Sequence, residues 1–271
     1  MSTPASLPSP PSPLAAPTKK YDTEKTDNVS EKAPEAAILS MIVQLSSANF
    51  WMSSNGGWKG PTGITPDFTD VKLSAYGGMP DESMREVQII ADDYNTAFDQ
   101  ACEIQGWVAM KGAESKIGFI NGASADTGTI KIKHALFEEI DDHNRMNAGD
   151  ALDDYDIANT GVANALAALK AQDPLRFKLN PLPVYGEDER LIHSSMYRKK
   201  LENALVEVQF TLTHWGIRSG NDGTGAKDVY NADIIDMIVL VPPPPPIASP
   251  RKRKLPALHP SSPTKKQVTR N

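Results

Sequence analysis

Apolar residues recur at three- and four-residue steps along several stretches of this chain. Over 35–52, Ile38, Met41, Ile42 and Leu45 repeat at helical spacing, and Gly56-Gly57 follows as a stop. Asp81, after Pro80, is placed to cap a helix over 82–105, where Met84, Val87, Ala91, Tyr94, Phe98 and Ala101 step by three or four. A shorter helical pattern covers 133–146, with Leu136, Phe137 and Ile140 on one face. Asp156 can cap an Ala-rich helix over 157–171 that carries Ile157, Val162, Leu166 and Leu169, and Pro174 ends it. The longest helical pattern is 187–217. There Leu201, Leu205, Val208, Leu212 and Trp215 follow a 4-3-4-3 progression and form one narrow apolar seam. Such a seam serves either as core or as a contact between subunits.

Strand patterns are weaker. Ile117–Ile120 and Thr129–Lys133 can pair across the Gly/Ser/Asp-rich stretch between them. Ile234–Val241 reads equally as a buried strand or a short buried helix, and 53–80, rich in Gly and Pro, reads as mostly irregular. The predicted fold class is mainly α: a single helical core domain with at most a small β-hairpin or sheet.

The two ends change this picture. Thirteen of the first seventeen residues, MSTPASLPSPPSPLAAP, are Pro, Ala or Ser, and 18–32 adds charge without an apolar face. Such a segment has almost nothing to bury, so 1–32 is expected to be a disordered arm. From Pro242 the chain turns Pro-rich and then basic, a second disordered arm over 242–271, which leaves 33–241 as the helical core domain. The 242–271 arm holds seven basic residues and no acidic one, whereas 1–241 holds 21 basic against 34 acidic, a balance of −13. A cationic arm on an acidic body points to a polyanion or to a receptor for basic peptides.

Catalytic motifs are missing. Gly220 and Gly225 have the spacing of a phosphate-binding loop, but Ala226 follows and Lys227 comes one place late, so neither the phosphate-reaching Lys nor a magnesium-holding hydroxyl is in place. The acidic residues Asp141, Asp142, Asp150, Asp153, Asp154 and Asp156 do not follow a calcium-loop pattern and read as helix caps and a solvated loop. Five His show no metal-ligand spacing, and the lone Cys102 reads as a small buried hydrophobe. No catalytic residue, metal or cofactor is expected, and no run is long enough for a membrane span.

The basic residues carry the functional reading. In the arm, Arg251, Lys252, Arg253, Lys254, Lys265 and Lys266 form short clusters beside Pro. In the body, Arg190, Arg198, Lys199 and Lys200 gather at the start of the longest helical pattern, Arg218 lies past its end, and Arg176 and Lys178 flank Phe177. Together they predict a stripe that holds RNA through its phosphates, with Phe177 free for stacking. The competing reading of the body residues is surface pairing with Glu187, Glu189 and Glu202.

The segment PASLPSPPSPLAAP at 4–17, with the overall size and the basic end, resembles the proline-alanine-serine-rich proteins of polymycoviruses, which coat viral RNA. The plan of a helical core between two arms is similar to that of flexuous filamentous virus coat proteins. The resemblance implies a non-enzymatic capsid or genome-coating protein that binds the RNA genome without base preference and self-associates as a homo-oligomer into a filament. Its place would be the virion and the host cytoplasm. The alternative is a cellular nuclear protein whose basic arm is an import signal and whose body binds a protein.

Overall fold

The computed structural model describes residues 36–81, 88–141, 160–172, 176–218 and 225–245. The described chain is built mainly from strands. In order it runs β1 (Ile38–Leu45), β2 (Lys72–Gly78), α1 (Gln88–Trp107), β3 (Ser115–Ile117), β4 (Ile120–Asn121), β5 (Thr129–Ala135), β6 (Phe137–Glu139), α2 (Thr160–Lys170), β7 (Phe177–Leu179), β8 (Val184–Tyr185), α3 (Tyr197–Leu201), β9 (Leu205–Ile217) and β10 (Lys227–Val241).

Five of these strands close on themselves. β1 pairs antiparallel with β2 on one side and β9 on the other, β2 pairs antiparallel with β5, and β9 pairs antiparallel with β10. β10 then meets β5 in parallel, with Ala232 opposite Ile132 and Asp233 opposite Lys133. The circuit is therefore first–second–third–fifth–fourth–first, one parallel junction in an otherwise antiparallel ring. That is the arrangement of the OB-fold, a five-stranded Greek-key barrel. β3 and β4 attach to β10 and β5, β8 attaches to β10, and β6 with β7 forms a separate ribbon.

Alternation along the strands fills the barrel. Val43 and Leu45 of β1, Leu73 and Ala75 of β2, Ile130 and Ile132 of β5, Val206, Val208 and Phe210 of β9, and Tyr230 and Ala232 of β10 are all buried. α1 adds Tyr94, Phe98 and Ala101 to the same core. Gly128 makes that approach possible, because a Cβ there would overlap the Phe98 ring, and the Gly128 carbonyl accepts from Tyr94 Oη at 3.0 Å. A buried polar group ties α1 to the last hairpin. The Asp228 carboxylate accepts from the backbone N–H of Met110 at 3.1 Å and contacts His214 Nε2 at 2.8 Å, while Tyr230 Oη donates to the Gln105 carbonyl at 2.7 Å. Burial works to raise the Asp228 carboxyl, but the bonds from His214 and Met110, with the charges of His214 and Lys116, hold it below its ordinary value.

The mainly α expectation is thus corrected to a β-barrel. The pattern over 187–217 is broken up: only Tyr197–Leu201 is α-helical, and Leu205–Ile217 is a strand. The reason is visible in VEVQFTLTHW, where Val206, Val208, Phe210, Leu212 and His214 alternate with more polar residues. A period of two fits that segment as well as the 4-3 progression does, and its β-branched and aromatic side chains suit a pleated surface. Leu201, Leu205 and Val208 of the former seam are buried core, whereas Trp215 points outward and is exposed. The same ambiguity converted 35–52, where Met41, Val43 and Leu45 alternate inward in β1, and the start of 133–146, which is the end of β5 followed by β6. The stretch 53–80 contains strand β2, which its two terminal glycines and small residues disguised. The helices α1 and α2 do lie within the patterns read over 82–105 and 157–171, apart from the last residues of α1. Of the expected pairing between Ile117–Ile120 and Thr129–Lys133, Ile120 does meet Ile130, whereas Ile117 belongs to β3 and pairs with Val229 of β10; Ile234–Val241 is strand, the second half of β10. The arms 1–32 and 246–271 lie outside the described residues.

Candidate nucleic-acid interface

The outer face of β2 and β5 follows from two short sequences. In TIKIKHA, Ile130, Ile132 and His134 turn into the barrel, so Thr129, Lys131 and Lys133 turn out. In KLSAYGG, Lys72, Ser74 and Tyr76 share the outward side. The antiparallel register sets Tyr76 opposite Lys131, Ser74 opposite Lys133, and Lys72 opposite Ala135. Three lysines and one tyrosine therefore occupy neighbouring positions on two paired strands. Lys131 Nζ lies 5.5 Å from the Tyr76 ring centroid, a cation–π contact. Lys133 Nζ donates to Asn231 Oδ1 of β10 at 2.7 Å. Among the described residues, none of the three lysines has a carboxylate within ion-pair distance. Burial lowers the Lys133 ammonium below the usual lysine range, and the charges of Lys131 and Lys72 push the same way against Asp233. Asp233, opposite Lys133 on β10, acts on this face from beyond ion-pair distance, and the charge of Lys72 and Lys131 stays without a paired carboxylate among the described residues.

Aromatic surface continues beside it. Past Leu45 the chain stays on β2: Ser46 N–H donates to the Tyr76 carbonyl and, after a turn at Asn49, Trp51 N–H donates to that of Ser74, both at 2.8 Å. Trp51, 47% exposed, is brought to the edge of the lysine face by these bonds. Its ring rests on Gly57, whose φ of +73° and lack of a side chain are both required, since a Cβ would sit 2.7 Å from Cζ3. The Gly57 N–H is held by Ser53 Oγ and Asn55 Oδ1, each at 3.2 Å. Trp51, Trp58, Lys59, Thr62 and Lys72 line a groove of about 320 Å³ that opens from this loop onto β2.

Of the basic residues singled out from the sequence, the seven that are described stand elsewhere, and four of them are paired with carboxylates. Arg176 meets Glu139 at 3.8 Å and Lys178 meets Glu138 at 2.9 Å across the β6–β7 ribbon. Arg190 meets Asp188 at 3.9 Å, and Arg198 meets Glu202 at 3.0 Å, one helical turn on. Phe177 is half-buried, with the Arg176 guanidinium 5.8 Å from its ring centroid. Lys199 and Lys200 are exposed on α3, and Arg218 follows β9. Arg190 and Lys200 share a cavity of about 480 Å³ with Glu187 and Asp188. The long helix at whose start Arg190, Arg198, Lys199 and Lys200 were expected is absent: Arg198, Lys199 and Lys200 lie on the short α3, and Arg190 precedes it. Arg251, Lys252, Arg253, Lys254, Lys265 and Lys266 lie outside the described residues. Among the described residues no three His, Cys, Asp or Glu are grouped to hold a metal ion, and no helix is long and apolar enough to cross a membrane.

The barrel arrangement can be set beside known proteins. No protein-family model matches the chain, and no curated protein matches it in sequence. In structure it is similar to gp2.5, a single-stranded DNA-binding protein encoded by bacteriophage T7, at 12% identity over 77% of this chain and 93% of that one, with a TM-score of 0.38. It is also similar to the single-stranded DNA-binding protein of bacteriophage Enc34 in complex with single-stranded DNA, at 11% identity over 77% and 88% of the two chains, with a TM-score of 0.35. Likenesses this distant add no argument of their own, and the barrel assignment rests on the strand pairings. The resemblance to polymycovirus genome-coating proteins and filamentous coat proteins is corrected. The coat-protein plan required a helical core, and the described body is a β-barrel built mainly from strands. The capsid and filament expectations rested on that helical plan and fall with it.

Proposed function

We propose that this protein binds single-stranded nucleic acid across the outer face of β2 and β5, without chemistry on its ligand. The observation that carries this reading is the register of Lys72, Lys131 and Lys133 around Tyr76 on an OB-fold's second and third strands, beside a tryptophan-lined groove. Ammonium groups spaced along paired strands follow phosphates, and exposed rings stack on bases. Bases in a duplex already stack on one another, so rings on this face serve an unpaired strand. A body carrying −13 over residues 1–241 repels polyanions everywhere else, so a local cationic face is a condition of binding.

The test is fluorescence anisotropy of labelled deoxythymidine and uridine oligomers against the full chain, from low to moderate salt. Binding is expected to weaken with salt. The double variant Lys72→Ala/Lys131→Ala should bind about tenfold or more weakly at low salt, with a log–log salt slope shallower by about 1.4, since each lost phosphate contact removes about 0.7 on single strands. An unchanged thermal midpoint shows that the barrel is intact. Wild-type protein that leaves both oligomers unbound at low salt, or a double variant with the parent's affinity and slope, overturns the proposal.

A further inference from the structure

β1 covers β9 only part of the way. Their pairing ends with Ile38 opposite Thr211. From Leu212 to Ile217, β9 stays paired with β10 on one side, and among the described residues no strand pairs with its other side. The alternation that turns Leu212 and His214 inward turns Thr213, Trp215 and Ile217 outward, leaving Trp215 45% and Ile217 50% exposed. Trp215 stands in line with Val229 of β10 and, beyond it, Ile117 of β3, so an apolar strip reaches this edge. Natural sheet edges are guarded by lysines, prolines, bulges or short strands. None is present from 212 to 217: the one titratable side chain is His214, which contacts Asp228 inside, and the irregularities of the β9–β10 pairing fall at Ile234/Asp236 and Val239/Val241.

The segment's own sequence identifies what fits. The sequence ahead of β1 carries Pro34, and proline has no N–H for a ladder. A nucleic-acid strand would need cations that 212–217 lacks. A second copy of the same edge is complementary to it. Antiparallel pairing about Trp215 places Trp215 on Trp215, Thr213 on Ile217 and Ile217 on Thr213, the self-matching pattern of a two-fold contact. Aromatic pairs and β-branched pairs are favourable across strands.

We propose that the open edge of β9 is a self-association surface, where two copies join their barrels antiparallel about Trp215. Six residues a side make a small interface, so the dimer should form at a dissociation constant on the order of 10 μM or above. Sedimentation velocity of the full chain over about 1 to 100 μM is the test. The sedimentation coefficient should rise with concentration. Trp215→Glu, which sets like charges against each other on the axis, and separately Ile217→Lys should each weaken dimerisation about tenfold or more. Thermal midpoint and oligomer binding by the monomer should stay at parent values. Three results overturn the proposal. One is a wild-type chain that remains monomeric throughout. Another is a dimer indifferent to both substitutions. The third is a Trp215→Glu protein whose monomer loses oligonucleotide affinity, which assigns Trp215 to the nucleic acid instead.

Discussion

Arg176, Lys178 and Arg198 differ from the cations of β2 and β5 in what stands beside them. Lys178 faces Glu138, Arg176 faces Glu139, and Arg198 reaches Glu202. Lys72, Lys131 and Lys133 face Ala135, Tyr76, Ser74 and Asn231, with Asp233 opposite Lys133 but beyond ion-pair distance. The first set is satisfied within the protein. To bind a phosphate it must give up a carboxylate, and the carboxylate then repels the ligand. The second set is arranged with its own charges close together, which is unfavourable alone and favourable once a polyanion arrives. Counting basic residues does not separate the two sets; their neighbours do.

The contrast is sharpened first by removing rings. Tyr76→Ala and Trp51→Ala should each cost about 1–3 kcal/mol of oligonucleotide affinity if the rings stack on bases, measured by the same anisotropy titration. The salt slope should not move, because no phosphate contact is lost. A lysine variant should do the reverse and flatten the slope. Rings whose loss leaves affinity intact would reduce the site to charge alone.

A smaller effect belongs to Lys133. Its ammonium is lowered in the free protein by burial and by Lys131 and Lys72. Phosphates overhead favour the charged form and raise it, so binding takes up a proton wherever the free group is partly neutral. Affinity should therefore fall as pH rises through the alkaline range, and this extra fall should vanish in Lys133→Met. Calorimetry in buffers of different ionisation enthalpy reads the proton directly. Proton release on binding would have the wrong sign.

The smallest effect is expected from the paired set. Arg176→Ala and Arg198→Ala should change oligonucleotide affinity by less than about threefold. Each should also cost no more than about 1 kcal/mol of stability, as exposed ion pairs do. A loss as large as that of the β2–β5 lysines would dissolve the distinction between the sets.

Part of this was readable from residues alone. The helical spacings within 88–107 and 160–170 had real helices under them, because long apolar stripes with good helix formers have no competing period. Strand β9 was masked because VEVQFTLTHW satisfies a period of two and, through Val208, Leu212 and Trp215 with Val206 and Phe210 passed over, a 4-3 progression as well. The lysine face was hidden for a different reason. TIKIK already read as a strand, and its alternation placed Lys131 and Lys133 on one side. What was missing was β2, whose Lys72 and Tyr76 join them only through a pairing between segments far apart in the chain. Attention to charge density favoured RKK at 198–200, where three cations are adjacent in sequence yet belong to a short helix with an acidic neighbour at Glu202. Non-local pairing, not composition, makes the face.

Lysine footprinting separates the β2–β5 face from the exposed lysines of α3 in one experiment. The full chain, alone and saturated with a deoxythymidine oligomer, is treated with an amine-reactive reagent, and modification is read residue by residue by mass spectrometry. The account expects Lys72 and Lys131 to become protected while Lys199 and Lys200 keep their free-state reactivity. Protection of Lys199 and Lys200 with Lys72 and Lys131 left open, or protection confined to the lysines of 251–270, would contradict it.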